Sequence, residues 1–183
     1  MNTLKNLLIY SVSLVALFSL TAISCEDLSE EVTVDVPTDI TKTFRVSSTE
    51  TGDFVIVEEV DVSSDEFNER REQMKDFTVD SFNFAVVDNL AEGSGIPTDL
   101  QLQFYAGQTR VSTGSGVLSG STFEEQLNSL DPEYVRQLKE VVEVYVLDDP
   151  NPFMEITLTG NAGAPMDYTI TFTMKATIEA GVQ

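Results

Sequence analysis

Residues 168–178, YTITFTMKATI, change character at every step. Tyr168, Ile170, Phe172, Met174, Ala176 and Ile178 fall on one side, and Thr169, Thr171, Thr173, Lys175 and Thr177 on the other. Successive side chains of a strand point to opposite faces, so this run predicts a β-strand with one dry and one wet face. Such a strand belongs to an antiparallel sheet that packs on a core from one side.

The same period recurs upstream. Val32, Val34 and Val36 alternate with Thr33 and Asp35 until Pro37 ends the run, and Phe44 and Val46 alternate with Thr43 and Arg45. Residues 54–62, FVIVEEVDV, are β-rich, but Glu58 breaks their apolar parity and points to a bulge or an exposed end. Phe82, Phe84 and Val86 oppose Ser81 and Asn83, while Leu100, Leu102 and Phe104 oppose Gln101 and Gln103. Ile156 and Leu158 alternate with Thr157 and Thr159, and GNAGAP at 160–165 supplies a turn. This segment and the last strand are expected to pair as a C-terminal hairpin.

Helical spacing interrupts the pattern. Ser63 with Glu66 forms a capping box that predicts a helix from about residue 64 to 75. Its apolar stripe is Phe67 and Met74, with Phe77 just beyond, and Glu66 and Arg70 form a favourable i,i+4 pair. That sparse stripe suits a surface helix at a sheet edge or end. A second box, Thr122 with Glu125, predicts a short helix through Leu130. Asp131 then caps a third helix with Pro132 at its first position, and Tyr134, Leu138, Val141, Val142 and Tyr145 recur at helical spacing to about Val146. Its tail, VVEVYVLD, also reads as a strand, so residues 142–147 stay open between the two. DDPNP at 148–152 ends either one. About seven strands with two or three short helical insertions predict a mainly β fold, an antiparallel β-sandwich of Greek-key type.

Composition bounds the chemistry. The 183 residues suit one domain plus a leader, and a content of 42% hydrophobic and 22% charged residues is that of a globular chain. Asp and Glu number 31 against 10 Lys and Arg, a formal net charge of −21, which repels phosphate backbones and argues against a nucleic-acid role. There is no histidine, so a Ser-His-Asp triad, a Cys-His pair and a His-ligated zinc are excluded. Cys25 is the only cysteine, which excludes an intramolecular disulfide and a Cys-rich metal site. Carboxylate, Lys, Tyr and Ser/Thr chemistry remain. Paired carboxylates hydrolyse glycosides, but among 31 acids some pair always looks suitable. Tyr105, Tyr134 and Tyr168 are either glycan-stacking residues or core packing, and Trp is absent. Asp148, Asp149 and Asn151 offer oxygens to calcium or simply form an acidic turn, and no EF-hand spacing occurs. Gly114 and Gly116 lack the strand-to-helix setting of a phosphate loop, and the low-complexity segment at 112–122 reads as a flexible loop, an edge strand or a loop for a polar ligand such as a glycan. No catalytic residue, metal ligand or cofactor is assigned.

The N-terminus carries an address. Lys5 gives a thin positive start, and residues 7–20 form an apolar run of 14 residues, short of the roughly 20 needed to span a membrane. Thr21, Ala22, Ile23 and Ser24 then lead to Cys25. Ala22-Ile23-Ser24 loosely meets an ordinary leader cleavage site, which would release a protein with a free thiol. An uncleaved anchor is a further reading.

The junction also resembles the lipobox of bacterial lipoproteins, a small residue directly before a cysteine at the end of the apolar run. That resemblance implies cleavage between Ser24 and Cys25, a diacylglycerol thioether on Cys25 and an acyl group on its amine, which together anchor stably. Ala22 and Ser24 depart from the strict pattern of Leu and Gly or Ala, and look like the relaxed boxes of the Bacteroidota. In that group an acidic run after the cysteine goes with export to the cell surface. Glu26, Asp27, Glu30 and Glu31 resemble such a signal, interrupted by Leu28 and Ser29, so the surface and the periplasmic face of the outer membrane both stay open. The implied layout is a leader at 1–24, a lipidated cysteine and acidic tether at 25–31, and one sandwich domain at 32–183. The implied role is a binding or structural module for an envelope protein or glycan, held by outer-membrane lipid. The alternatives are a carboxylate-dependent glycoside hydrolase and a calcium-dependent adhesion module.

Overall fold

A computed structural model describes residues 32–63, 65–107, 109–110, 118–149 and 151–182. Strands β1 (Thr33–Ser48), β2 (Gly52–Asp61), β3 (Met74–Asp88), β4 (Thr98–Ala106), β5 (Thr109–Arg110), β6 (Phe153–Ala162) and β7 (Met166–Gly181) alternate with three helices, α1 (Asp65–Arg70), α2 (Phe123–Leu127) and α3 (Pro132–Asp148). Two antiparallel sheets of three long strands each result, in the orders β1-β7-β3 and β2-β6-β4, with the two-residue β5 added beside β4. The fold is mainly β with short helical insertions, as the alternation predicts. Val34–Ala180 form one compact unit. Residues 32–33 and 181–182 belong to a second, in which the Val182 N–H donates to the Val32 carbonyl at 2.8 Å.

The dry faces of the two sheets meet. Phe82 and Phe84 of β3, Phe172 of β7 and Phe104 of β4 pack with ring centroids 5.1 to 6.5 Å apart, so rings from both sheets form one cluster. The residues of β7 from Met166 to Met174 alternate buried and half-buried, with the threonines on the wetter face. Gly160 on β6 is closely hemmed, since a Cβ there would lie 2.7 Å from Leu100 Cδ2 and 3.0 Å from Phe54 Cζ.

The structure corrects several sequence expectations. The segment at 153–162 and the last strand do not pair as a hairpin: β6 is central in one sheet and β7 in the other, and the turn between them crosses the sandwich. Pro37 does not end a strand, because β1 continues through it. As an edge strand, β1 tolerates an exposed residue that lacks an N–H. Glu58 marks no bulge, for β2 pairs with β6 without a slip from Gly52 to Asp61. Glu58 keeps the inward parity and meets Lys42 of β1 at 3.3 Å. Inward-pointing charges on edge strands discourage edge-to-edge pairing, and this pair stands between the free edges of the two sheets. The first helix is shorter than expected. It gives way to a 3-10 turn at Arg71–Gln73, and β3 has begun by Met74. Phe67 is nonetheless fully buried, edge-to-face with Phe77 at 6.2 Å.

The remaining helices form where their caps predict. Thr122 and Glu125 complete a reciprocal capping box on α2, which stops at Leu127 rather than Leu130. Asp131 accepts from the Glu133 and Tyr134 amides at the start of α3, with Pro132 in the first turn. Residues 142–147 are helical. Tyr134, Leu138, Val142 and Val146 are buried, and α3 lies along β3 and β4.

These helices also finish an exposed sheet edge. The Val79 N–H donates to Glu143 Oε1 (2.8 Å), the Phe84 N–H to Asn128 Oδ1 (2.9 Å) and the Val86 N–H to Glu124 Oε2 (3.1 Å). Asn128 Nδ2 returns a bond to the Phe84 carbonyl at 2.8 Å, and Lys139 donates to the Asp80 carbonyl. Side chains thus take the place of a missing neighbour strand on β3.

Candidate functional site

An open cleft of about 680 Å³ lies where the end of β3, the 89–97 loop, the start of α2 and the start of β7 converge. Its base is apolar. Phe123 and Tyr168 are buried there with rings edge-to-face at 4.8 Å, beside half-buried Val86 and, at the rim, exposed Ile96. Its polar wall holds Asp88, Glu124 and Glu125, with Ser94, Thr122 and Asn128. Among the described residues no Lys or Arg lines it.

Each carboxylate is fixed by the chain around it. Asp88 Oδ1 accepts from the Leu90 N–H (3.0 Å) and the Ser94 hydroxyl (2.5 Å), and Oδ2 from the Ser94 N–H (2.7 Å). The bond to the amide two residues on is an Asx-turn, and it folds the DNLAEGSG loop back over the sheet end. Glu125 Oε2 accepts from the Ser121 hydroxyl and N–H and the Thr122 N–H, and Glu124 holds the Val86 amide. The Ser94 hydroxyl and amide hold the Asp88 carboxyl below the usual carboxylate range, and the Ser121 hydroxyl does the same for Glu125. Burial, with the Asp88 charge nearby, pushes the Tyr168 phenol up.

Beside the cleft, Arg45 of β1 grips Asp167 of β7, with Nε donating to Oδ1 at 2.6 Å and Nη2 to Oδ2. Asn89 Nδ2 donates to the same Oδ1 (3.2 Å) and to Thr169 Oγ1 (3.0 Å). The Arg45 guanidinium is the main cause that keeps Asp167 below the ordinary range. The 89–97 loop also fits closely against the β6–β7 turn. Gly95 donates to the Pro165 carbonyl at 2.9 Å, and a Cβ on Gly95 would lie 2.8 Å from that of Ala164.

This chemistry is that of fixed anions over an apolar floor. Asp88 and Glu125 are ionised at neutral pH, so they suit a cationic or hydrogen-bond-donating ligand. Hydrolysis of a glycoside instead calls for one carboxyl kept protonated as the acid, and neither of these two is raised.

The residues singled out in the sequence are scattered. Cys25, Glu26, Asp27, Glu30 and Glu31 lie outside the described residues, as do Gly114 and Gly116. Tyr105 is half-buried and bonds to Gln103 Oε1 (3.2 Å). Tyr134 is buried on α3 against Phe104, and Tyr168 alone reaches the cleft, its hydroxyl donating to the Gly95 carbonyl at 3.3 Å. The three form no stacking platform. Asp149 Oδ1 accepts from the Asn151 N–H at 2.9 Å, the hydrogen bond of a turn, and among the described residues no cluster of three acids is placed to hold a metal. Sequence reasoning missed Asp88, Ser94 and Asp167. The spacing of Asp88 before a Gly- and Ser-rich loop was the available signal.

Among the described residues no helix is long and apolar enough to cross a membrane. Comparison of the chain with family models, curated proteins and solved structures finds no match.

Proposed function

We propose that this chain is an outer-membrane lipoprotein, most simply at the cell surface, whose β-sandwich is a binding module for an envelope protein or glycan and not an enzyme. The observation that carries the reading is the lone cysteine at the end of a leader-like apolar run, shortly before β1 begins at Thr33. Two or more acyl chains on Cys25 bury enough methylenes, at about 0.8 kcal/mol each, for stable anchoring.

The placement of the cleft supports this reading. Thr43 lies beside Thr171 and Arg45 beside Asp167, so β1 runs toward the cleft. Val34 therefore sits at the far end of that sheet, roughly 35 Å away at ~3.4 Å per residue. The cleft therefore opens at the end of the sheet opposite Val34, where a partner can reach it.

Fractionation of cells expressing wild type and Cys25→Ser tests the anchor. Wild type is expected in the detergent phase and the variant in the aqueous phase. A variant that still partitions with detergent contradicts lipidation. Whole-cell protease accessibility then separates the surface from the periplasmic face.

A further inference from the structure

Asp88, Glu124 and Glu125 line the cleft, and every donor that fixes them is a neutral amide or hydroxyl. Such bonds set the direction of a carboxylate and leave its charge in place. Glu124 Oε1 and Glu125 Oε1 accept nothing among the described residues, so both keep free lone pairs.

The chain has no cation placed to answer these charges. Arg45, beside the cleft, is tied through two nitrogens to Asp167. Lys42 pairs with Glu58, Arg136 with Glu133 and Glu140, and Lys139 donates to the Asp80 carbonyl. Arg70, Arg71 and Lys75 lie at the start of β3, and the cleft is at its other end. Lys175 is seven residues along β7 from Tyr168, about 24 Å at ~3.4 Å per residue. Arg110 pairs with Tyr105, as many residues along β4 from Thr98, and Lys5 belongs to the leader-like segment. The countercharge must come from outside the molecule.

We infer that the cleft receives an arginine or lysine side chain, with an adjoining aliphatic one, from a loop or chain end of a partner protein. The cationic head meets Glu124 and Glu125 in charge-assisted hydrogen bonds, and its apolar stem and the aliphatic neighbour cover Val86 and Ile96. A neutral glycan fits less well. Phe123 is 2% and Tyr168 5% exposed, and the rings meet edge-to-face, so neither offers a sugar an open face. A bare metal ion would leave the apolar floor uncovered, and among the described residues no group of three acids is placed to hold one. A second copy is opposed by the net charge of −21 on each molecule. The inference rests on the binding-module reading, names the chemistry of the partner and does not require the anchor.

The test uses the full mature chain in zwitterionic nanodiscs, with empty nanodiscs as background and salt at about 150 mM to screen diffuse attraction. The probes are labelled short peptides centred on Leu-Arg-Leu, on Leu-citrulline-Leu, which keeps the shape without the charge, and on Ser-Arg-Ser. Fluorescence anisotropy is expected to show the first binding at least roughly tenfold tighter than either of the others. Glu124→Gln with Glu125→Gln keeps the acceptors for the Val86 amide and the capping box and removes two charges. It should abolish the preference for arginine over citrulline and leave citrulline binding unchanged. Glu59→Gln with Glu69→Gln, the same charge change at two exposed sites away from the cleft, should keep the preference. Circular dichroism checks that each variant is folded. Equal binding of the arginine and citrulline peptides by wild type, or a preference that survives in the Glu124/Glu125 variant, overturns the proposal. So does a wild-type dimer that this variant converts to monomer, since a second copy is then the occupant. Neutral oligosaccharides bound in place of the peptides refute the inference and leave the binding-module reading standing. A chain that does not enter nanodiscs refutes the anchor alone, and the peptide measurement then proceeds in buffer.

Discussion

Gly160 shows how tightly single residues are constrained in the core. Its missing side chain leaves room for Leu100 and Phe54 on either side of the central strand β6. Gly160→Ala forces those groups apart and is expected to destabilise by about 1–3 kcal/mol, measured by urea unfolding. Asp88 sets a pH dependence. Its carboxyl is depressed by the bonds from Ser94 and Leu90, so its stabilisation of the 89–97 loop is present above the unfolded value near ~3.9 and is lost as pH falls through the folded one. The Leu90 and Ser94 amides should therefore stay protected from hydrogen exchange at neutral pH and lose protection below about pH 4. Asp88→Asn should remove that pH dependence, and a loop equally protected at low and neutral pH would contradict the assignment. Neither role stood out in the sequence. Gly160 looked like turn punctuation, and the importance of Asp88 depends on which strand ends converge.

At the scale of elements, local signals were the legible ones. Alternation placed the strands, and the caps at Thr122 and Asp131 placed α2 and α3 because a cap acts within one turn. Residues 142–147 were ambiguous because a valine-rich run suits both periods, and burial of Val142 and Val146 on one helical face decided it. Pairing was not legible. The GNAGAP motif at 160–165 gives no sign of whether the strands it joins share a sheet, and the edge of β3 is finished by residues some forty to sixty positions away. Asn128 is the sharpest case, since it serves both the N–H and the carbonyl of Phe84. Asn128→Ala leaves both without their partner and is expected to lower stability by about 1–2 kcal/mol. The midpoint of urea denaturation should fall with an unchanged slope. An unchanged midpoint would mean that water replaces Asn128 without loss.

For the whole molecule, the sandwich is closed differently on its two sides. Helix α3 and its polar side chains finish one side, and the inward Lys42–Glu58 pair stands at the other. Composition bounds the chemistry, since a chain without histidine and with one cysteine has few catalytic devices. It could not foretell the cleft, which arises only when distant segments meet. The central claim is that Cys25 carries the anchor and everything after it is presented cargo. Intact mass spectrometry of the mature protein purified from envelopes tests it most directly. The account predicts a chain starting at Cys25, heavier than its sequence mass by a diacylglycerol thioether and an N-acyl group. A retained leader, or an unmodified sulfur at the mature N-terminus, would contradict it.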